Sequence, residues 1–234
     1  MDIRARVEEV EIRIDRAAER TGRKRSDVKL LAVTKTHGVD VIKAALSAGI
    51  EFIGENKVQE AGTKIPLLKG LYKEFHYIGH LQTNKINKLL SLDPALIHSL
   101  DNLHLAEKLN SRLAAAGKIQ DILLQVNTSG EESKFGVEPE AAAELAGKIL
   151  ECENLNLTGL MTIGRFTDNE KELRASFSML RRLRDQLGSE YHGIELKWLS
   201  MGMSNDFEIA VNEGANLLRL GTVLFGARAC SLRT

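Results

Sequence analysis

The sequence predicts a single (β/α)8 TIM barrel preceded by one extra helix. Eight short apolar runs alternate with helical stretches along the 234 residues, and no proline- or serine-rich linker interrupts them; there are only three prolines. Strands that alternate with helices imply a parallel sheet. A count of eight favours closure into a barrel over an open doubly wound sheet.

The elements follow in order. Ile3, Val7, Val10, Ile14 and Ala17 recur at three- and four-residue spacing, the stripe of an amphipathic helix. That helix is expected to end near Gly22, so residues 1–21 pack on the outside of the barrel. Strands are expected over 29–34, 51–53, 75–78, 95–98, 122–126, 157–160, 196–199 and 217–220, each rich in Leu, Ile or Val. Between the sixth and seventh, Leu173, Phe177, Leu180, Leu183 and Leu187 form one apolar helix face. Gly49, Gly117, Gly188 and Gly214 fall where left-handed residues close helices, and Pro139 suits a first helical turn. One domain over residues 1–234 is the expectation.

Composition narrows the function classes. A hydrophobic share of 43% is ample for a large core, and 32 basic against 32 acidic residues leave no net charge. A balanced chain has no general attraction for nucleic acid or an anionic membrane. The dense basic run Gly22-Arg23-Lys24-Arg25 lies between a helix and a strand and reads as a solvated turn. Cys152 and Cys230 have no motif spacing, which fits a reducing compartment and argues against a disulfide framework or zinc site. Met1 to Arg6 lack the apolar centre of a signal peptide, and no apolar run approaches membrane-spanning length. A cytoplasmic monomer is expected.

In such a barrel the active site forms at the carboxyl ends of the strands. That rule gathers Lys35, Glu55, Asn56, Gly79, His80, Ser99, Asn127, Met161, Ser200, Arg219, Gly221 and Thr222. The set suits a polar, anionic small molecule. Lys35 ends the apolar run Leu30-Leu31-Ala32-Val33-Thr34. A lysine there either is solvated or forms an imine with an aldehyde, for which its pKa must fall from about 10.4. Desolvation and a second cation, Arg219 on the last strand, would both lower it. Position alone leaves both readings open.

The segment Leu199-Ser200-Met201-Gly202-Met203-Ser204-Asn205-Asp206 leads into a helix, and Leu220-Gly221-Thr222 follows the eighth strand. Loops after strands seven and eight commonly cradle phosphate, although Ser204 would also serve as a helix cap. The loop Ser129–Gly136 lacks the ending of a nucleotide-binding P-loop. His80 reads as an acid or base, or as a structural histidine. His37, His76, His98, His104 and His192 show no metal-ligand spacing.

These motifs together resemble the pyridoxal phosphate (PLP) homeostasis protein family, also called the proline synthetase co-transcribed homologue family. The resemblance is carried by Leu31–Thr36, Gly54-Glu55-Asn56 with Val58-Gln59-Glu60, His76–Lys85 and Gln125-Val126-Asn127. It continues through Ser129–Lys134, Gly159-Leu160-Met161, Leu199–Asp206 and Arg219–Arg228, in family order from residue 31 to 228. It implies an alanine racemase-type barrel, fold type III among PLP proteins. It further implies pyridoxal 5'-phosphate as a Schiff base on Lys35, with Asn56, Met161, Ser200, Met203, Ser204, Arg219, Gly221 and Thr222 around the cofactor. Ser204, Gly221 and Thr222 match the phosphate contacts, and Arg219 the residue at the pyridine nitrogen. Lys57 departs from the pattern, since many members have an aromatic residue there. The implied role is cofactor buffering and delivery to apo PLP-dependent enzymes without robust catalysis; a PLP-dependent racemase or decarboxylase, and a lysine aldolase acting on sugar phosphates, are the alternatives. Racemases of this type carry a further β-domain with a second base. The chain ends six residues after Arg228, so the carrier is expected.

Overall fold

The computed structural model describes residues 2–131 and 133–226. Glu132, Arg228 and Cys230 lie outside the described residues. Eight strands form a closed parallel barrel in sequence order: β1 (Lys29–Val33), β2 (Phe52–Glu55), β3 (Glu74–Tyr77), β4 (Leu96–Leu100), β5 (Gln120–Gln125), β6 (Leu155–Met161), β7 (Trp198–Ser200) and β8 (Leu217–Leu220). β8 closes on β1, with Leu31 opposite Arg219. This is the (β/α)8 fold expected.

Alternation along the strands divides the buried residues in two. Leu31, Leu96, Leu123, Met161 and Leu217 meet inside the barrel, with Phe52, Ile78, Ile163 and Trp198 packed against them. Their strand neighbours, among them Leu30, Ala32, Ile53, Phe75, Ile97 and Leu218, join the apolar faces of the helices in the larger core. A strand buried on both faces reads as a continuous apolar run, which is why the runs were visible in the sequence.

The helices are α1 (Ile3–Glu19), α2 (Val39–Ser47), α3 (Val58–Leu68), α4 (Ile86–Leu90), α5 (Leu103–Ala116), α6 (Ala142–Leu150), α7 (Glu170–Glu190), α8 (Phe207–Asn212) and α9 (Thr222–Phe225). α1 buries Val7, Val10, Ile14, Ala17 and Ala18 and packs on α8, α9 and α2. Its Arg13 forks onto Glu208 of α8 at 3.2 Å and lies over the Phe207 ring. Pro139 opens a 3-10 turn, Pro139–Ala141, that runs into α6.

Three expectations are corrected. β2 runs on to Glu55 instead of stopping at residue 53, and β7 starts at Trp198 and ends on Ser200. Polar Glu55 and Ser200 end the apolar runs in the sequence, yet both are buried and their side chains are hydrogen-bonded, so the ladders include them. Gly188 does not close its helix. α7 continues to Glu190, with Leu187 buried and accepting the Tyr191 N–H, and the positive φ falls later, at Gly193. An isolated helical glycine costs only about 1 kcal/mol, which the packed Leu187 outweighs. Gly49, Gly117 and Gly214 do adopt positive φ where expected.

Candidate functional site

Lys35 stands two residues beyond β1. The Thr34 N–H bonds Gly54 O and extends the ladder by one residue; Lys35 then begins a turn and is half-buried. Thr36 has φ 68°, the left-handed region that costs an L-residue about 1–2 kcal/mol. The peptide groups on both sides of Lys35 are tied to α3. The Thr36 N–H donates to Glu60 Oε2 at 2.9 Å, and Lys64 Nζ donates to Thr34 O at 3.0 Å. Lys64 also donates to Glu55 Oε1 at 2.9 Å and Glu60 Oε2 at 3.0 Å, while Thr34 Oγ1 donates to Glu55 Oε1 at 2.7 Å. Glu55 was expected among the groups at the mouth; its carboxylate instead lies between β1 and α3. Burial pushes that carboxyl up despite the bonds from Thr34 and Lys64. Glu60 is held below the ordinary range, first by the Thr36 N–H and further by Lys64.

Asn56 follows β2, and its Oδ1 is buried without a hydrogen-bond partner. A Cβ on Gly79 would lie 2.0 Å from Asn56 O, so only glycine lets the chain after β3 lie against Asn56. His80 is exposed, stacks on Phe135 with ring centroids 4.2 Å apart, and stands 3.7 Å from the Asp101 carboxylate. Ser99 lies inside β4 and donates to Gly79 O. Asn127 is consumed by its own loop: Oδ1 accepts from the Ser129 N–H and hydroxyl, and Nδ2 donates to Glu131 O and Glu138 Oε1. Lys134 fastens that loop to Glu131 and to Gly164 O.

Arg219 is buried within β8. Its Nη1 donates to Ser200 Oγ at 2.6 Å and its Nη2 to Thr162 O at 2.7 Å. Desolvation lowers its pKa to about 10, with Asp206 opposing, so it stays protonated at neutral pH. The Asp206 carboxylate accepts from the Met203 N–H at 2.6 Å, ahead of α8, and burial raises its pKa. The capping alternative for Ser204 is corrected: no side chain caps α8, whose N-cap residue is Asp206. Ser204 Oγ accepts instead from Gly221 N at 3.3 Å and Val223 N at 3.2 Å, fastening the turn after β8 to the loop after β7. A Cβ at Gly221 would meet nothing closer than Val33 at 3.6 Å, so internal packing does not demand a glycine there. Met161 belongs to the apolar layer inside the barrel, and Met203 is exposed.

Lys35, Asn56, Met161, Ser200, Met203, Ser204, Arg219, Gly221 and Thr222 thus all lie at or just beyond the carboxyl ends of their strands. The sequence reading missed the Glu55–Glu60–Lys64 support of Lys35, for which the Glu60/Lys64 i,i+4 spacing in a helix was the available signal. It also missed His76 and His98, which reach Ser200 from inside the barrel and whose strand parity matches that of Lys29 and Arg219.

The alanine racemase N-terminal domain model matches residues 7–229. The chain is 46% identical over 216 residues to the pyridoxal phosphate homeostasis protein of Aquifex aeolicus, covering 92% of this chain and 94% of that one. It is also 46% identical to the protein of the same name from Helicobacter pylori, over 96% and 99% of the two chains. The chain belongs to the pyridoxal phosphate homeostasis protein family. PipY of Synechococcus elongatus, solved with PLP bound, superposes with a TM-score of 0.82 at 32% identity, over 96% of this chain and the whole of that one. An alanine racemase from Clostridium difficile shares the fold, with a TM-score of 0.74 at 14% identity; the match covers 88% of this chain and 56% of the racemase. No helix among the described residues is long and apolar enough to cross a membrane.

Proposed function

We propose that this chain binds pyridoxal 5'-phosphate as a Schiff base on Lys35 and serves PLP homeostasis, buffering the cofactor and delivering it to apo PLP-dependent enzymes in the cytoplasm. The observation that carries the reading is the presence, at one barrel mouth, of a lysine with both flanking peptide groups immobilised and a buried arginine on the neighbouring strand. Family membership supports it, as does PipY with PLP bound.

The residues suit the group. Asn56 Oδ1 is a buried acceptor in want of a donor, which the cofactor's ring hydroxyl would satisfy. Gly221 leaves space above the amides that Ser204 gathers, with Thr222 beside them, so Ser204, Gly221 and Thr222 would hold the phosphate. Met161 and Met203 would border the ring. When bound, the cofactor supplies an electrophilic carbon and, with a protonated ring nitrogen, an electron sink. Arg219 opposes the second property. A guanidinium has donors and no acceptor, so a ring nitrogen facing it must accept a hydrogen bond and stay unprotonated. That favours storage over turnover of amino acids.

Absorbance of the purified protein, borohydride reduction and peptide mapping test the assignment. The protein is expected to be yellow or to become so on adding PLP, and reduction should fix the label on Lys35. Label on another lysine, or no uptake, removes the reading. Recovered activity of an apo PLP enzyme mixed with the loaded protein tests delivery. Racemisation or decarboxylation of alanine, serine or lysine at about 1 s⁻¹ or faster would make the protein an enzyme instead.

A further inference from the structure

A polar column crosses the apolar interior of the barrel from its N-terminal floor to the mouth. Lys29 and Glu74, the first residues of β1 and β3, form the lower end, with Lys29 Nζ 2.8 Å from Glu74 Oε2 and held over the Phe52 and Trp198 rings. A cavity of about 390 Å³, lined in part by Lys29, Phe52, Lys73 and Trp198, opens at this end. Glu74 Oε2 lies 2.8 Å from His76 Nε2, and His76 Nδ1 lies 3.0 Å from His98 Nε2. His98 Nδ1 lies 2.9 Å from Ser200 Oγ, which accepts from Arg219. Both histidines are buried.

The partners determine every proton. Glu74 is a carboxylate and can only accept, so His76 carries its proton on Nε2. A neutral ring has one N–H, which leaves His76 Nδ1 to accept from His98 Nε2–H. His98 Nδ1 is then bare and takes the Ser200 hydroxyl proton, while Ser200 Oγ takes the Arg219 N–H. The reverse order would set a bare ring nitrogen against the carboxylate. Burial, which lowers both imidazole pKa values, keeps the rings neutral, and the His76 bond leads in holding Glu74 at about 2.

We propose that Glu74, on the floor of the barrel, is a positioning residue for the cofactor site: its carboxylate fixes the tautomers of His76 and His98 and through them orients Ser200 and Arg219. From Arg219 to Glu74 every hydrogen bond points one way, down to a single carboxylate, so the guanidinium at the mouth is aimed from the opposite end of the fold. The effect on the cofactor rests on the PLP reading above; the proton order does not.

Nitrogen NMR of the imidazole side chains tests it on the full chain. In the cofactor-free protein His76 and His98 are both expected as Nε2–H tautomers. Glu74→Gln presents an amide that either donates or accepts, so both rings should become tautomer mixtures. PLP affinity should then fall roughly 3- to 10-fold, less than for a directly lost bond to a charged group. In the wild type PLP binding is expected to shift the His98 nitrogens through Arg219 and Ser200; Ser200→Ala should leave both tautomers unchanged and abolish that shift. An Nδ1–H form at either ring in the wild type, or unaltered tautomers and affinity in Glu74→Gln, overturns the proposal. If Glu74→Gln fails to fold, the wild-type and Ser200→Ala spectra decide. A wild type that takes up no PLP but shows the stated tautomers keeps the column and removes only the cofactor reading.

Discussion

On the β1–β2 flank of the barrel mouth the turn carrying Lys35 is held by three charged side chains, whereas on the β7–β8 flank the turn after Leu220 is held by one hydroxyl. Glu55, Glu60 and Lys64 are partly or wholly buried and share five hydrogen bonds with each other and with Thr34 and Thr36. Ser204 accepts two backbone N–H groups at 3.2–3.3 Å and carries no charge. Buried charges hold geometry strongly because leaving one unpaired is costly. Neutral bonds at the long end of their range are easily exchanged for better acceptors, such as phosphate oxygens. On the proposed function, the first flank would fix the nucleophile and the second would receive an anion and let it go.

The largest effect should come from breaking the charged flank. Lys64→Met leaves the buried Glu55 without its cation, Glu60 with only Lys57 at 3.8 Å, and Thr34 O without its donor. Loss of one partner from a buried ionic cluster costs about 3–5 kcal/mol, and urea unfolding should show a drop of that size. Lys64→Met combined with Glu55→Gln should recover part of it. A loss under about 1 kcal/mol would mean that packing, not charge, holds the Lys35 turn.

The uncharged flank should respond in affinity and not in fold. Ser204→Ala and Thr222→Val are each expected to weaken PLP binding by about 1.5–3 kcal/mol, the worth of a hydrogen bond to a charged group, with the unfolding midpoint little changed. Titration followed by absorbance measures the first quantity and a denaturant melt the second. Unchanged affinity in both variants would move the phosphate away from this turn.

How much of this contrast the sequence displays follows from the range of the interactions. The apolar runs and the amphipathic helices are local patterns, so eight strands and the residues at their ends were readable. Ser204, Gly221 and Thr222 stand in short segments beside strands seven and eight, and the barrel rule placed them. The support of Lys35 was harder to read, because Thr34 and Lys64 are 30 residues apart and only the pairing of β2 beside β1 brings α3 to the turn. His98 and Ser200 are separated by 102 residues, and nothing near either marks the pair. Glu55 misled for a related reason. A charged residue at the end of an apolar run reads as facing the barrel mouth, and its buried partners, Thr34 and Lys64, come from other elements.

The smallest effect should come from Thr36, where two opposing terms meet on the charged flank. Its left-handed backbone, φ 68°, costs an L-residue about 1–2 kcal/mol, and the exposed side chain has no burial to offset that. Glycine removes this cost but gives the unfolded chain more freedom to lose, about 0.5–1 kcal/mol. Thr36→Gly keeps the backbone N–H and therefore the bond to Glu60. The net change in stability should be a gain below about 1 kcal/mol by urea unfolding. PLP affinity should then change less than about fivefold, the equivalent of 1 kcal/mol. A loss of more than 1 kcal/mol would show that the threonine side chain holds the turn. If affinity collapses while stability is kept, the strain at residue 36 itself aims Lys35, and the Glu60 bond serves to maintain that strain.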